Sequence, residues 1–167
     1  MKQSDLQPLL SEFAADRVAL IQHHEAAARV IAHYDFNNTY QYVINREETH
    51  LNWLVTALAE YGAPLPPPSR ELPLPEVKKS KKVVAAAYRE ILEQDARQLA
   101  DFVARWRPRV EAMTDARHRT MLNVVLGETL EHQRLIAQAA SGFEDLLGRR
   151  TGGVARQGGV LPTRWQE

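Results

Sequence analysis

Residues 63–79 read APLPPPSRELPLPEVKK and hold Pro64, Pro66, Pro67, Pro68, Pro73 and Pro75 of the nine prolines in the chain. Proline lacks a backbone donor and its ring clashes with the preceding helical turn, so this segment cannot be helical. At roughly 3.1 Å per residue in a polyproline conformation, it can run about the length of a long helix. On either side glycine and proline are sparse, and apolar residues recur at helical spacing. Four helices are predicted. The first starts near Ser4, where Ser4 and Gln7 have capping-box spacing and Pro8 falls in an early turn, and it runs to about His33. The second follows a polar break at Asp35, Asn37 and Asn38 and ends at Gly62, a residue suited to the left-handed position after a helix. The third starts near Ser80 and weakens around Pro108. The fourth starts at Thr114-Asp115, with the Thr114 hydroxyl as N-cap and the Asp115 carboxylate on the positive end of the dipole, and runs to Gly148. Residues 1–148 are thus expected to form an all-α four-helix bundle with a long proline-rich crossover between helices two and three. The Gly-rich residues 149–167 are expected to be a flexible tail.

Composition bounds the function. A chain of 167 residues is one domain's worth, and 44% hydrophobic with 25% charged residues is the balance of a globular protein with a full core. Lys and Arg number 21 and Asp and Glu 21, so there is no electrostatic footprint for nucleic acid or an anionic membrane. Cysteine is absent, which excludes disulfides, thiolate-bound zinc, Fe–S clusters and a thiol nucleophile. The start, MKQSDLQPLL, lacks the apolar segment of a signal peptide, and no stretch approaches about 18 consecutive apolar residues. A cytoplasmic protein is expected. No Gly-rich phosphate loop, G-x-S-x-G or H-E-x-x-H occurs.

Placing each residue at about 100° per position shows which polar groups share the apolar stripe of each helix. In helix one His24 falls at the centre of the stripe, Arg17 is close to it and Glu25 lies at the flank. In helix two Glu47 is central, with His50 one turn on. Helix three centres Asp95, and helix four centres His132, with Glu128 near and Glu131 to the side. Counting residues from the hairpin turns brings His24 level with Glu47, and Asp95 level with Glu128 and His132, within about a turn. Buried isolated carboxylates cost several kcal/mol each unless a partner, proton or metal offsets the charge. Carboxylate with imidazole and no thiolate favours iron, manganese or zinc over soft metals, with iron or manganese first.

The segment Arg46-Glu47-Glu48-Thr49-His50-Leu51 resembles the Glu-x-x-His helix of the ferritin-like superfamily, rubrerythrins and bacterioferritins in particular. Val124-Val125-Leu126-Gly127-Glu128-Thr129-Leu130-Glu131-His132 is similar to the last ligand helix of that family. The likeness covers residues 4–148 and extends to the layout, two helical hairpins joined by one crossover. It implies a diiron carboxylate oxidoreductase acting on oxygen, peroxide or Fe(II), with an external reductant. Glu47, His50 and Glu128 would be ligands, with Asp95, His132 and His24 completing the shell and Glu25 and Glu131 in reserve. The chain departs from the family in centring His24 on helix one, in using Asp95 on helix three, and in placing its histidine at 132 rather than 131.

Two other readings stand beside it. In one, the bundle is metal-free and the buried acids and histidines, with Arg17, satisfy one another, leaving a structural or interaction role. In the other, Glu128 and His132 belong to a mononuclear site like that of DinB-like bundles. His23 and His118 are expected at the surface or rim, and the KKSKK run at 78–82 as a solvated helix start. Tyr88, a heptad before Asp95 on the same face, is expected as a core tyrosine, with donation of an electron or a hydrogen bond as the alternative. An apolar flank would suit a homodimer, and Gly158-Gly159-Val160-Leu161-Pro162 in the tail would suit docking on a partner.

Overall fold

The computed structural model describes residues 5–75 and 88–148 and builds them around four helices: α1 (Leu6–Val30), α2 (Tyr34–Ala59), α3 (Arg89–Glu111) and α4 (Ala116–Ala140). Ser4, the predicted helix start at Ser80, the KKSKK run and the tail 149–167 lie outside the described residues. No helix among the described residues is long and apolar enough to cross a membrane.

The helix ends follow local chemistry, with some shifts from the sequence reading. α1 stops at Val30, three residues before His33, and the Asn37 amide closes the turn by donating to the Ala28 and Ile31 carbonyls at 2.7 and 3.1 Å. After α2, Gly62 takes φ +65° while Ala63 N–H returns to the Leu58 carbonyl at 3.1 Å. Only glycine adopts that conformation without strain. α3 continues through Pro108 to Glu111. Pro108 and Ala104, whose carbonyl loses its donor, are both exposed, so water can take the freed acceptor. The N-cap of α4 is Asp115, not Thr114: its carboxylate accepts from His118 N–H at 2.8 Å. α4 ends at Ala140 instead of Gly148, because Gly142 turns the chain at φ +90° and Phe143 N–H closes on Gln138.

Side-chain pairs set the directions of the helices. Arg109 meets Glu12, Arg105 meets Asp16 and His23 meets Asp95, so α3 runs antiparallel to α1. Arg46 meets Glu128 and Arg117 meets Glu60, so α4 runs antiparallel to α2. The α1–α2 hairpin is antiparallel as well, with Ala28 meeting Asn37 beside the turn and His24 meeting Glu47 further from it. Helices α2 and α3 are therefore parallel, and the chain between them must travel the height of the bundle. That is the expected connectivity of two hairpins and a crossover.

The crossover climbs the groove between α1 and α3. Ser69 N–H donates to the Ala15 carbonyl at 3.0 Å, the Leu72 carbonyl accepts from His23 Nδ1 at 2.7 Å, and the Pro73 carbonyl accepts from Gln94 at 3.0 Å. Three crossover residues match eight residues of α1, roughly 9 Å against roughly 12 Å, as an extended strand running beside a helix at a slight slant should. Asp16 anchors this strap: its carboxylate accepts from Ser69 Oγ at 2.5 Å, Arg105 Nη1 at 2.6 Å and Trp106 Nε1 at 2.9 Å. Asp16→Ala should strand the buried indole donor and release Ser69, at a cost of about 2–3 kcal/mol. Faster proteolysis near Ser69, alongside a lower urea midpoint, is the expected readout.

The core follows from the apolar stripes. Leu10, Phe13 and Leu20 of α1, Tyr40, Leu54 and Leu58 of α2, Leu99, Phe102 and Trp106 of α3, and Leu122, Val125 and Ile136 of α4 are all buried. Phe13 packs edge-on to Phe102 and Trp106 at 5.1 and 4.9 Å between ring centroids.

Candidate functional site

At mid-height the apolar core gives way to charge. Arg17 is fully buried and touches all three other helices: Nη1 donates to Glu47 Oε1 at 2.9 Å, Nη2 donates to Thr129 Oγ1 at 2.6 Å, and the guanidinium lies 4.5 Å above the Phe102 ring. Thr129 passes its own hydroxyl proton to the Val125 carbonyl at 2.7 Å, so its oxygen is free to accept from Arg17. The other oxygen of Glu47 pairs with His24 Nδ1 at 2.8 Å. Glu47 thus has a cation on one oxygen and an imidazole on the other.

The electrostatics follow this arrangement. Burial disfavours the charge on Glu47, but the attraction and hydrogen bond of His24, then Arg17 and His132, outweigh it and bring its pKa down to about 2. Burial likewise opposes a charge on His24, yet Glu47 wins and raises the pKa of that imidazole. Burial lowers the pKa of Arg17, partly offset by Glu47.

A second unit lies beside the first. Asp95 accepts from the Tyr40 hydroxyl on one oxygen and pairs with His23 Nε2, at 2.5 Å, on the other. Burial, then the charge and hydrogen bond of Asp95, push the Tyr40 phenol well above its ordinary value, so it stays a donor. His23 Nδ1 must donate to the Leu72 carbonyl, which ties this pair to the crossover. A third unit sits at the α2–α4 edge. There Arg46 grips Glu128 with two bonds of 2.9 and 2.7 Å, and His50 Nε2 meets the same carboxylate at 3.0 Å. The Arg46 hydrogen bond holds Glu128 below the ordinary carboxylate range. His132 stacks on His50 with ring centroids 6.3 Å apart. Burial lowers the pKa of His50 and takes that of His132 down to about 4, so both are neutral bases at pH 7.

The structure therefore brings together His24, Glu47, His50 and His132, with Asp95 in the adjoining unit, and all five are buried. Glu128 reaches only the edge, where its side chain is 30% exposed and committed to Arg46. Glu25 and Glu131 lie outside, partnered by Arg29 and Arg134 on their own helices, because both point to the flank of the buried stripe. His23 and His118 correct the sequence reading, since both are buried. The crossover covers the flank of α1 that carries His23, while Asp115 and Tyr61 enclose His118. Tyr88 is a core tyrosine, but its hydroxyl accepts from Ala32 N–H at 3.1 Å in the α1–α2 turn, and the phenol on Asp95 is Tyr40.

Thr129 is the residue that the stripe analysis passed over. Glu47-x-x-His50 on α2 faces Thr129-x-x-His132 on α4, two buried pairs of the same spacing. The spacing was visible in the sequence, but a threonine in place of an acid masked it.

A dinuclear carboxylate centre in such a bundle draws on a Glu from each of two helices and a Glu-x-x-His from each of the other two. This donor set does not fit that requirement. A guanidinium occupies the carboxylate of Glu47, a hydroxyl replaces the carboxylate on α4, and Asp95 is engaged by His23 and Tyr40. Among the described residues no group of three or more His, Asp or Glu side chains is arranged to hold a metal ion.

Neither a family model nor a curated protein matches the chain. Among solved structures it is similar to one described as a crystal structure of ferritin like, diiron-carboxylate proteins from Bacillus anthracis str. Ames. The identity is 19%, the match covers 89% of this chain and 98% of that one, and the TM-score is 0.49.

Proposed function

We propose that this protein is a metal-free bundle of ferritin-like layout, with a structural or interaction role rather than diiron redox chemistry. The observation that carries the reading is Arg17, a fixed cation buried against Glu47 where the bundle would otherwise need a metal to offset the charge. A divalent ion entering there would meet a guanidinium that has nowhere polar to retreat to. The network then serves to lock helix register, since Arg17 engages α2, α3 and α4 at one level.

Metal titration of the purified full chain tests this. Fe(II), Mn(II) and Zn(II) should each bind at well under one ion per chain. The double variant Arg17→Glu and Thr129→Glu, which supplies the missing carboxylates, should gain about two. Uptake of about two ions by the unaltered chain, abolished by Glu47→Ala, would overturn the proposal and restore the diiron oxidoreductase.

One further observation favours a second reading. His24 Nε2, His50 Nδ1 and His132 Nδ1 are buried and have no hydrogen-bond partner among the described residues. Neutral, stacked His50 and His132 offer imidazole lone pairs of the kind that zinc, copper, iron or nickel accept, and without a set of bridging carboxylates they suit one ion better than two. Binding of about one ion per chain, lost in His132→Asn and indifferent to Arg17→Glu, would select that reading.

A further inference from the structure

The crossover fills the groove between α1 and α3, and the opposite groove, between α2 and α4, carries no covering segment among the described residues. Tyr42 on α2 and Val124 on α4 stand 40% and 43% exposed beside it. On α2, Asn38, Tyr42, Asn45, Thr49, Trp53 and Thr56 follow one another at intervals of three or four residues, which makes one stripe along the helix, and none of them is charged. The charged side chains along the groove are paired within the chain, Arg46 with Glu128 and Arg117 with Glu60. Aromatic rings, amides and hydroxyls with the charges neutralised are the composition of a protein–protein interface, whose core is depleted of charge.

The stripe is symmetric about Thr49. Asn45 and Trp53 lie four residues to either side of it, and Tyr42 and Thr56 seven, about 10 Å in each direction along the helix. A two-fold axis through Thr49, normal to the groove, lays α2 antiparallel to its mate and brings Tyr42 of one copy to the height of Thr56 in the other. At that height the groove holds a cleft of about 310 Å³, lined by Trp53, Thr56, Ala57, Arg117, His118 and Met121. An exposed phenol ring thus meets a cleft walled by Trp53, Ala57 and Met121, once in each direction. Arg117 spends two of its five N–H donors on Glu60, at 3.1 and 2.5 Å, and the rest are available to the phenol oxygen and ring face of Tyr42 from the second copy. Val124 lies four residues from Glu128 as His50 lies four from Arg46, so it comes level with the axis and close to its own mate.

We propose that this groove is the two-fold interface of a homodimer, with Tyr42 of each copy seated in the Trp53–Met121 cleft of the other. The available area suits it. Two helices of 26 and 25 residues, at roughly 1.5 Å per residue and about 10 Å of width each, present about 750 Å², close to the roughly 800 Å² per partner of a standard stable interface. One copy cannot use the pairing by itself, because its own Tyr42 stands about 20 Å along the helix from Thr56. A second copy shifted along the groove in one direction would leave a tyrosine and a cleft unfilled and would propagate as a filament instead of closing. The interface does not depend on the metal-free reading, because the side chains that meet across it lie outside the Arg17–Glu47 pair.

The test uses the full chain. Sedimentation or light scattering should give a dimer with a Kd of about 1 μM or tighter. Tyr42→Arg, at an exposed position, sets a cation against Arg117 of the other copy and should weaken association at least about thirtyfold, with the helical circular dichroism of the parent retained. Val124→Lys brings two like charges together at the axis and should do the same. Because the chain has no cysteine, Thr49→Cys carries a single thiol, and a short bis-maleimide should join two copies of it but not two copies of Gln22→Cys, an exposed position on α1. A monomer at about 100 μM, a dimer unchanged by Tyr42→Arg, or cross-linking through Gln22→Cys in place of Thr49→Cys would each overturn the proposal. A monomer that dimerises only once residues 149–167 are removed would overturn it too, and would give the groove to the tail of the same chain.

Discussion

Arg17→Met should destabilise the bundle by about 3–5 kcal/mol, the cost of leaving a buried carboxylate without its cation. The methionine fills the alkyl space of the arginine and keeps contact with Phe102, so the loss falls on Glu47 and Thr129. Glu47 would retain only His24, and the Thr129 oxygen would lose its donor. Glu47→Leu alone should cost a similar amount by orphaning the guanidinium. The double variant Arg17→Met and Glu47→Leu should recover much of both losses, since apolar groups of like volume often replace a buried ion pair at little cost. Urea unfolding of the four proteins closes the cycle. A single variant within about 1 kcal/mol of the parent would show that the pair does not hold the helices together.

The second large effect is acid instability in two steps. His132 has a pKa of about 4 in the folded chain against an ordinary value of 6.5, caused first by burial and opposed by Glu47. The unfolded chain binds the extra proton between those values, so stability is full above pH 6.5 and lost as pH falls towards 4, by about 3 kcal/mol. His50, with its pKa also lowered by burial, acts in the same direction. Glu47 follows: its pKa of about 2 against 4.5 gives stability present above 4.5 and lost towards pH 2, again about 3 kcal/mol. His24 acts oppositely, because its pKa is raised: its contribution is full below 6.5 and fades as pH rises through the folded value. Stability should therefore peak near neutral pH. His132→Leu should flatten the first acid step and leave the second in place, as measured by thermal unfolding between pH 3 and 8. An unchanged first step would assign it to another group.

The same residues show where sequence patterning reaches and where it stops. Helical spacing is a local property, fixed by 3.6 residues per turn, and it correctly put His24, Glu47, Asp95 and His132 on buried stripes. Gly62 was legible as a helix stop for the same reason, since one residue's backbone freedom decides it. The prolines of 63–79 excluded a helix there, and a non-helical strap parallel to α1 is what the described part shows.

What each buried group would meet did not follow from spacing. Stripe angles say that a side chain points inward, but its partner depends on the rotation and height of three other helices. Level counting set Asp95 beside Glu128 and His132, whereas the folded chain gives it to His23 and Tyr40. His23 lay off the stripe of α1 and became buried only because the crossover lies over that flank and offers the Leu72 carbonyl. Glu128 and Thr129 differ by one position, or about 100° of helix, which is enough to send the acid to Arg46 at the edge and the hydroxyl to Arg17 in the core. The sequence by itself determined four amphipathic helices, a proline crossover and a set of ionisable residues facing inward, because these rest on local periodicity and backbone chemistry. Only the tertiary structure decided that a guanidinium, rather than a ring of carboxylates, stands beside Glu47, because that pairing is a matter of distance between residues 30 and 112 positions apart.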